Sequence, residues 1–229
     1  ALSAKGVQKL TVKVTDSTDK GFQPHGKQVL EPHGIWYTPV AGIWQTVWIE
    51  PVPAANRIEG VTTRSDIHAG VLSVDVKTAR TGSDRVCVTL SADGKTLAER
   101  SSMAGQPVHL AVEHPRLWSR DDPYLYDLTV TLVRDGRVID RAESYAALRE
   151  IATGRDANGI ERMTLNGRPL FHFGPLDQGW WPDGLYTAPT DEALLYDIRF
   201  TKQLGFNMIR KHIKVEPERW YWHCDREGI

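Results

Sequence analysis

From residue 1 to about 148, apolar and polar positions alternate with a period of two, the pattern of strands that bury one face. Leu10-Thr11-Val12-Lys13-Val14 and Val71-Leu72-Ser73-Val74-Asp75-Val76 alternate cleanly. Val86-Cys87-Val88-Thr89-Leu90, Leu128-Thr129-Val130-Thr131-Leu132 and the weaker Arg137-Val138-Ile139 continue the pattern. Turn formers separate them: Ala92-Asp93-Gly94, Asp121-Asp122-Pro123 and Arg134-Asp135-Gly136. Each Asp-Gly pair suits a hairpin, with glycine supplying the positive φ. The prediction is antiparallel β structure. It breaks near Pro51-Val52-Pro53, because two prolines two apart do not fit a central strand. Residues 53–149, short strands at regular spacing, fit an immunoglobulin-like β-sandwich without the disulfide. Residues 1–52 hold only two or three strands, so they predict part of a larger sheet, or pairing with another chain.

Beyond residue 150 the pattern turns to strand, helix, strand, helix. Pro169-Leu170-Phe171-His172-Phe173 reads as a short apolar strand, followed by a long Gly-, Pro- and Trp-rich loop reaching Thr190. Loops of that length are uncommon unless they are functional. Thr190 predicts an N-cap, with Asp191 and Glu192 complementing the helix dipole. Leu194, Ile198 and Thr201 line one face, and Gly205 closes the helix. Phe206-Asn207-Met208-Ile209-Arg210 reads as a second strand, with Pro217 at the first position of a second helix running to about Glu227. Strands alternating with helices imply a parallel sheet. Two such strands do not make a stable domain, so residues 150–229 predict the opening of a larger α/β domain.

Composition narrows the function classes. Lys plus Arg is 28 against 29 for Asp plus Glu, a net charge of -1, which gives no electrostatic case for nucleic acid or an anionic membrane. Hydrophobic residues at 41% and charged residues at 25% are globular values. No apolar run nears the ~20 residues of a membrane helix. Ala1-Leu2-Ser3-Ala4-Lys5 carries no apolar leader core, although a cleaved leader would leave no trace. The compartment therefore stays open, periplasm and secretion included, as does the oligomeric state. The two cysteines, Cys87 and Cys224, exclude a disulfide scaffold and read as buried thiols. The eight histidines show no metal-ligand spacing, and no phosphate-binding glycine motif is present, so neither metal nor cofactor is expected.

Exit loops after parallel strands are where barrel enzymes build their sites. The first carries Asp177, Gln178, Trp180, Trp181 and Asp183; the second begins Arg210-Lys211-His212 and reaches Lys214 and Glu216. Carboxylate, amide, indole and cationic groups together can hydrogen-bond hydroxyls and stack on a sugar ring. Plainer readings stand beside this one. Asp177 and Asp183 can cap turns, Trp180 and Trp181 can simply pack, and His212 can be a loop histidine. Arg210 ends an apolar strand and has no obvious acid partner in this chain.

At this point the residues resemble a known family. Gly42-Ile43-Trp44-Gln45-Thr46-Val47-Trp48-Ile49 is similar to the end of the sugar-binding jelly roll of glycoside hydrolase family 2. Pro115-Arg116-Leu117-Trp118 with Pro123-Tyr124-Leu125-Tyr126 resembles that family's immunoglobulin-like domain. Leu165-Asn166-Gly167-Arg168-Pro169-Leu170 resembles the lead-in to its catalytic barrel, and Gly205-Phe206-Asn207-Met208-Ile209-Arg210 its second strand. Trp220-Tyr221 and Cys224-Asp225-Arg226-Glu227-Gly228 are similar to the helix that follows. The order is kept along nearly the whole chain.

The resemblance implies a multidomain β plus α/β protein. Residues 1–52 would be the C-terminal part of a jelly roll, 53–149 the sandwich, and 150–229 the start of a TIM (β/α)8 barrel. It implies a retaining exo-β-glycosidase acting on terminal β-linked sugars, β-galactosidase-like, with a carbohydrate as its partner. In such enzymes an acid and a nucleophilic carboxylate stand about 5–5.5 Å apart. In the family both are glutamates on later barrel strands and map beyond Ile229. The isolated chain is therefore expected to have no turnover. Arg210 matches the arginine that supports the nucleophile, while Asp177, Gln178, Trp180, Trp181, Asp183, Lys211 and His212 are the expected sugar contacts. Leu176-Asp177-Gln178 and Lys211-His212-Ile213 depart from the galactosidase pattern, which has Asn-Arg-His and Ser-His there. The rival class is a non-catalytic carbohydrate-binding or interaction β-sandwich using exposed tryptophans.

Overall fold

The computed structural model describes residues 5–229; Ala1 to Ala4, which the reading of the N-terminus included, lie outside the described residues. Seven strands between Ile58 and Ala146 form two facing sheets. One has the order β1-β2-β5, from β1 (Ile58–Asp66), β2 (Val71–Thr78) and β5 (Val108–Ala111). The other has the order β4-β3-β6-β7, from β3 (Arg85–Ala92), β4 (Lys95–Met103), β6 (Tyr126–Arg134) and β7 (Arg137–Ala146). All pairs are antiparallel. Both Asp-Gly hairpins form as expected. Asp93 and Gly94 take φ of 50° and 74°, Asp135 and Gly136 of 48° and 74°, the doubly positive geometry whose twist matches the flanking strands.

The inward positions of the alternating pattern make the core. Leu72, Val74 and Val76 of β2 meet Val86, Val88 and Leu90 of β3 and Tyr126, Leu128, Val130 and Leu132 of β6. Each such burial contributes roughly 1.5–3 kcal/mol before entropy is counted. The Tyr126 hydroxyl accepts from the Arg116 N–H at 2.7 Å and donates to the Arg116 carbonyl at 3.1 Å, the corner seen in immunoglobulin-like sandwiches. At the sandwich's other buried polar site, Arg134 grips Asp84 through Nε at 2.7 Å and Nη2 at 2.8 Å, and Asn56 Nδ2 donates to Asp84 at 2.6 Å. Cys87 sits on the opposite side of β3 from the core and is only half-buried, which corrects the expectation for that thiol. Cys224 is buried, and burial pushes its thiol up to about 12.

The segment before Ile58 departs from its pattern. Leu10 to Val14 forms no strand, and Leu10, Val12 and Val14 are 82%, 56% and 50% exposed. Alternation says which face a strand would bury, but a strand also needs a neighbour to take its backbone donors and acceptors. Among the described residues here, the only ladder-like contact is a parallel bridge between Gln28 and Tyr37.

After the sandwich comes an antiparallel trio that the sequence pattern did not announce: β8 (Ile151–Arg155), β9 (Glu161–Leu165) and β10 (Arg168–Pro169). Its outward Ile151 and Met163 blur the apolar stripe. The strand expected at 169–173 is displaced: Pro169 ends β10, and the parallel pairing lies further on, between β11 (Leu176–Asp177) and β12 (Arg210–Lys211). Hydrogen bonds at 2.9 Å from Asn207 to Phe173, Arg210 to Pro175 and His212 to Asp177 carry it beyond the regular residues. Pro175 lacks a donor, which limits the ladder. Gly174 is needed because a Cβ there would stand 1.8 Å from the Met208 carbonyl oxygen.

Helix α1 (Asp191–Gln203) starts as expected, with Thr190 Oγ1 accepting from the Ala193 N–H at 3.1 Å. It packs Leu194 and Ile198 against Trp220 and Cys224 of α2 (Glu218–Glu227). Pro217 caps α2 rather than opening it; its ψ of 151° is extended. Asp225 joins this unit to the sandwich. Its carboxylate takes Arg149 Nη1 at 2.7 Å and the Tyr145 hydroxyl at 3.0 Å, while its carbonyl accepts from Trp118 Nε1 at 2.7 Å.

Candidate functional site

The parallel pairing of β11 with β12 sets the two exit loops side by side, and the side chains then join them. Asp177 accepts the Gly179 N–H through Oδ1 at 2.7 Å, and its other oxygen is bound by Lys211. Lys211 Nζ also lies 2.8 Å from Glu216 Oε1, which is 3.3 Å from Lys214 Nζ. Lys214 donates to the carbonyls of Gly179 at 2.7 Å and Tyr186 at 2.8 Å. The Lys214 and Glu216 side chains are 1% and 2% exposed, so each is tolerable only because the other is there. Burial pushes the Lys214 ammonium pKa down, and Glu216 opposes that shift. Gly179 takes φ of 66°, and a Cβ there would stand 2.3 Å from Glu216 Oε1. The loop passes over the ion pairs as bare backbone.

A second, neutral chain of contacts runs beside the first. Gln178 Nε2 lies 3.0 Å from His212 Nδ1, and Gln178 Oε1 accepts from the Tyr37 hydroxyl. The Tyr37 ring stacks on Trp180 with centroids 4.3 Å apart, and Trp180 meets Tyr186 edge-on at 5.7 Å. Tyr186 in turn lies 4.8 Å from Trp44. The buried indole nitrogens of Trp180 and Trp181 have no hydrogen-bond partner among the described residues. Burial lowers the His212 pKa first, and the charges of Arg210 and Lys27 lower it further.

Of the residues singled out from sequence, Asp177, Gln178, Trp180, Lys211 and His212 come together here. Trp181 is divided: its ring packs against the cluster of Leu194, Ile198, Trp220 and Cys224. Asp183 stands apart, exposed on the turn that the Trp181–Leu185 bridge closes. The Arg210 side chain is exposed at the start of β12 and has no hydrogen-bond or ion-pair partner among the described residues. Tyr37, Trp44 and Tyr186 were not singled out. Tyr37 and Trp44 belong to the segment without strands, and no local signal ties them to residues 140 positions away. Among the described residues, no group of three or more His, Cys, Asp or Glu could hold a metal ion.

The sandwich also has a recognisable sequence. The profile of glycosyl hydrolases family 2 matches residues 56–149. The sandwich is similar to the glycosyl hydrolases family 2 domain. Similarity extends past it on both sides. A β-galactosidase of Lactococcus lactis is 26% identical over 203 residues, covering 87% of this chain and 19% of that protein. A putative β-glucuronidase of Formosa agariphila is 29% identical over 214 residues, covering 87% and 20%. Among solved structures, a β-glucuronidase of Ruminococcus gnavus shares the fold with a TM-score of 0.65 at 21% identity, over 76% of this chain and 28% of that one. The chain thus spans about a fifth of the length of the curated relatives it matches.

Proposed function

We propose that this chain forms part of a retaining exo-β-glycosidase of family 2, in which the paired exit loops are one wall of the sugar site. On this reading residues 1–52 are the end of a jelly roll, 53–149 the sandwich, and 150–229 the opening strands and helices of a TIM barrel. The carrying observation is the parallel pairing of β11 with β12, which aligns the Asp177–Asp183 and Arg210–Glu216 loops at one end of a parallel pair. That is the end where barrel enzymes do their chemistry.

The roles divide along the two contact chains. The Asp177–Lys211–Glu216–Lys214 network is engaged within itself and holds the loops in register. Gln178 and His212 keep polar edges for sugar hydroxyls, with Trp180 beside them as flat apolar surface and Trp181 anchoring the loop on the helices. Arg210 stands free to support a nucleophilic carboxylate by charge and hydrogen bonding. The acid and nucleophile themselves have no counterpart within residues 1–229, so this chain contributes binding and orientation. Its relatives are named for galactose and for glucuronic acid, and both are terminal β-linked sugars when hydrolysed by an exo-acting enzyme.

Amide shift mapping of the labelled chain with methyl β-glycosides tests the reading. Shifts are expected at Gln178–Trp181 and Arg210–His212. Shifts confined to the sandwich, Ile58 to Ala146, would favour a carbohydrate-binding module and defeat the enzyme-wall reading.

A further inference from the structure

Tyr37 comes to the exit loops from outside them. Its N–H donates to the Lys27 carbonyl at 2.8 Å and its carbonyl accepts from the Val29 N–H at 3.2 Å, while its ring stacks on Trp180. Backbone and ring together aim the hydroxyl at Gln178. The same segment braces the second loop. Ile213, next to His212, has φ of 63°, a strained setting for a β-branched residue. Gly26 backs onto it so closely that a Cβ would stand 2.8 Å from the Ile213 carbonyl oxygen. His212 is fixed from the other side, since its N–H donates to the Asp177 carbonyl at 2.9 Å.

What this bracing holds is a hydrogen-bond chain with a direction. An amide side chain has one accepting end and one donating end, so the end that meets Tyr37 decides which end meets His212. A phenol donates better than it accepts, and Tyr37 donates to Gln178 Oε1. Gln178 Nε2 is left to donate to His212 Nδ1 at 3.0 Å. That nitrogen must then be a lone-pair acceptor, and a neutral imidazole with an accepting Nδ1 carries its proton on Nε2. An imidazolium would set two N–H donors against each other, and burial lowers the His212 pKa in the same sense. His212 Nε2 itself has no hydrogen-bond partner among the described residues.

We infer that Tyr37 is a positioning residue which, acting through Gln178, fixes the His212 proton on Nε2, so that the ring meets a sugar oxygen only as a hydrogen-bond donor. This rests on the exit loops being the sugar site. Tyr37 acts without touching the sugar itself. A ring free to exchange tautomers would offer a donor and an acceptor by turns, and would lose affinity in settling on one.

The test reads the ring nitrogens of His212 by nitrogen NMR of the isotope-labelled full chain at one neutral pH, the signals being assigned by their loss in His212→Asn. In the parent, Nδ1 is expected at the pyridine-type position and Nε2 at the pyrrole-type position. Tyr37→Phe keeps the stacked ring, removes the hydroxyl and frees the amide to turn over, so both signals should move to averaged positions between the two. Gln178→Glu, whose ionised carboxylate can only accept, should reverse the chain and move Nδ1 to the pyrrole type. Added methyl β-D-galactoside or methyl β-D-glucuronide should shift Nε2 in the parent. A pyrrole-type Nδ1 in the parent, or parent-like signals in Tyr37→Phe, would overturn the inference and leave the sugar site standing. Parent and variant signals as expected, with Nε2 unmoved by either glycoside, would overturn the sugar-site reading and with it the role given to Tyr37.

Discussion

The sandwich and the unit that follows it are held by opposite means. In the sandwich, two sheets close over an apolar centre, and its ion pair, buried Asp84 with the more exposed Arg134, sits at the margin with Asn56 completing the hydrogen bonds. In the exit-loop unit the apolar cluster is four buried residues, Leu194, Ile198, Trp220 and Cys224, and the loops are tied by charges buried between them. An apolar core tolerates change at its rim. A buried charge network does not, since removing one member strands another in a low-dielectric site. A fold that only has to be stable can use the first plan; one that must fix the positions of polar side chains has use for the second.

The sharpest way to break this contrast is at Glu216, the acid shared by two lysines. Glu216→Ala should destabilise the exit-loop unit by about 3–5 kcal/mol. The measurement is urea unfolding followed by tryptophan fluorescence, with the sandwich amides as an internal standard. Replacing Lys214 and Glu216 together by Met and Leu should recover much of that loss. A Glu216→Ala chain as stable as the parent would mean that the loops are held by something other than these charges.

A smaller effect separates the two networks by pH. Arg134, then Asn56, hold the Asp84 carboxyl down at about 2, against an ordinary value of 3.8. A carboxyl lowered by folding adds stability above its unfolded value and loses it as the pH falls through the folded one. The Asp84 contribution should therefore be complete above about pH 5 and disappear between about pH 4 and 2. Asp84→Asn should flatten that part of the stability–pH curve, measured by thermal unfolding at successive pH values, while lowering stability at neutral pH. Parallel curves for parent and variant would remove Asp84 as a source of acid sensitivity.

How much was legible in the sequence follows from where each signal resides. The sandwich was readable because its signals are local: alternation names the buried face, and Asp93-Gly94 and Asp135-Gly136 name the hairpins. Thr190, Leu194, Ile198 and Thr201 were readable for the same reason. The two exit loops could be picked out because strand, loop and helix follow in order along the chain. Their internal wiring could not. That Gln178 meets Tyr37, or that Lys211 chooses both Asp177 and Glu216, depends on long-range packing that no window of sequence contains. The first parallel strand was misplaced by several residues because apolar content at 169–173 outweighed the prolines and Gly174, which decide where a ladder can run.

The smallest predicted effect concerns a stretch near the N-terminus whose pattern and structure disagree. Leu10–Val14 alternates as well as Val71–Val76, yet Leu10 is 82% exposed and Leu72 is fully buried. If burial rather than pattern sets the energy, Leu10→Ala should change stability by less than about 0.5 kcal/mol, where the same truncation at Leu72 costs about 2–5 kcal/mol. Chemical denaturation of the two variants side by side decides it. A large loss at Leu10 would mean that this segment does pair and bury its apolar face in solution. The alternation would then describe a real strand, with a partner that residues 5–229 do not supply.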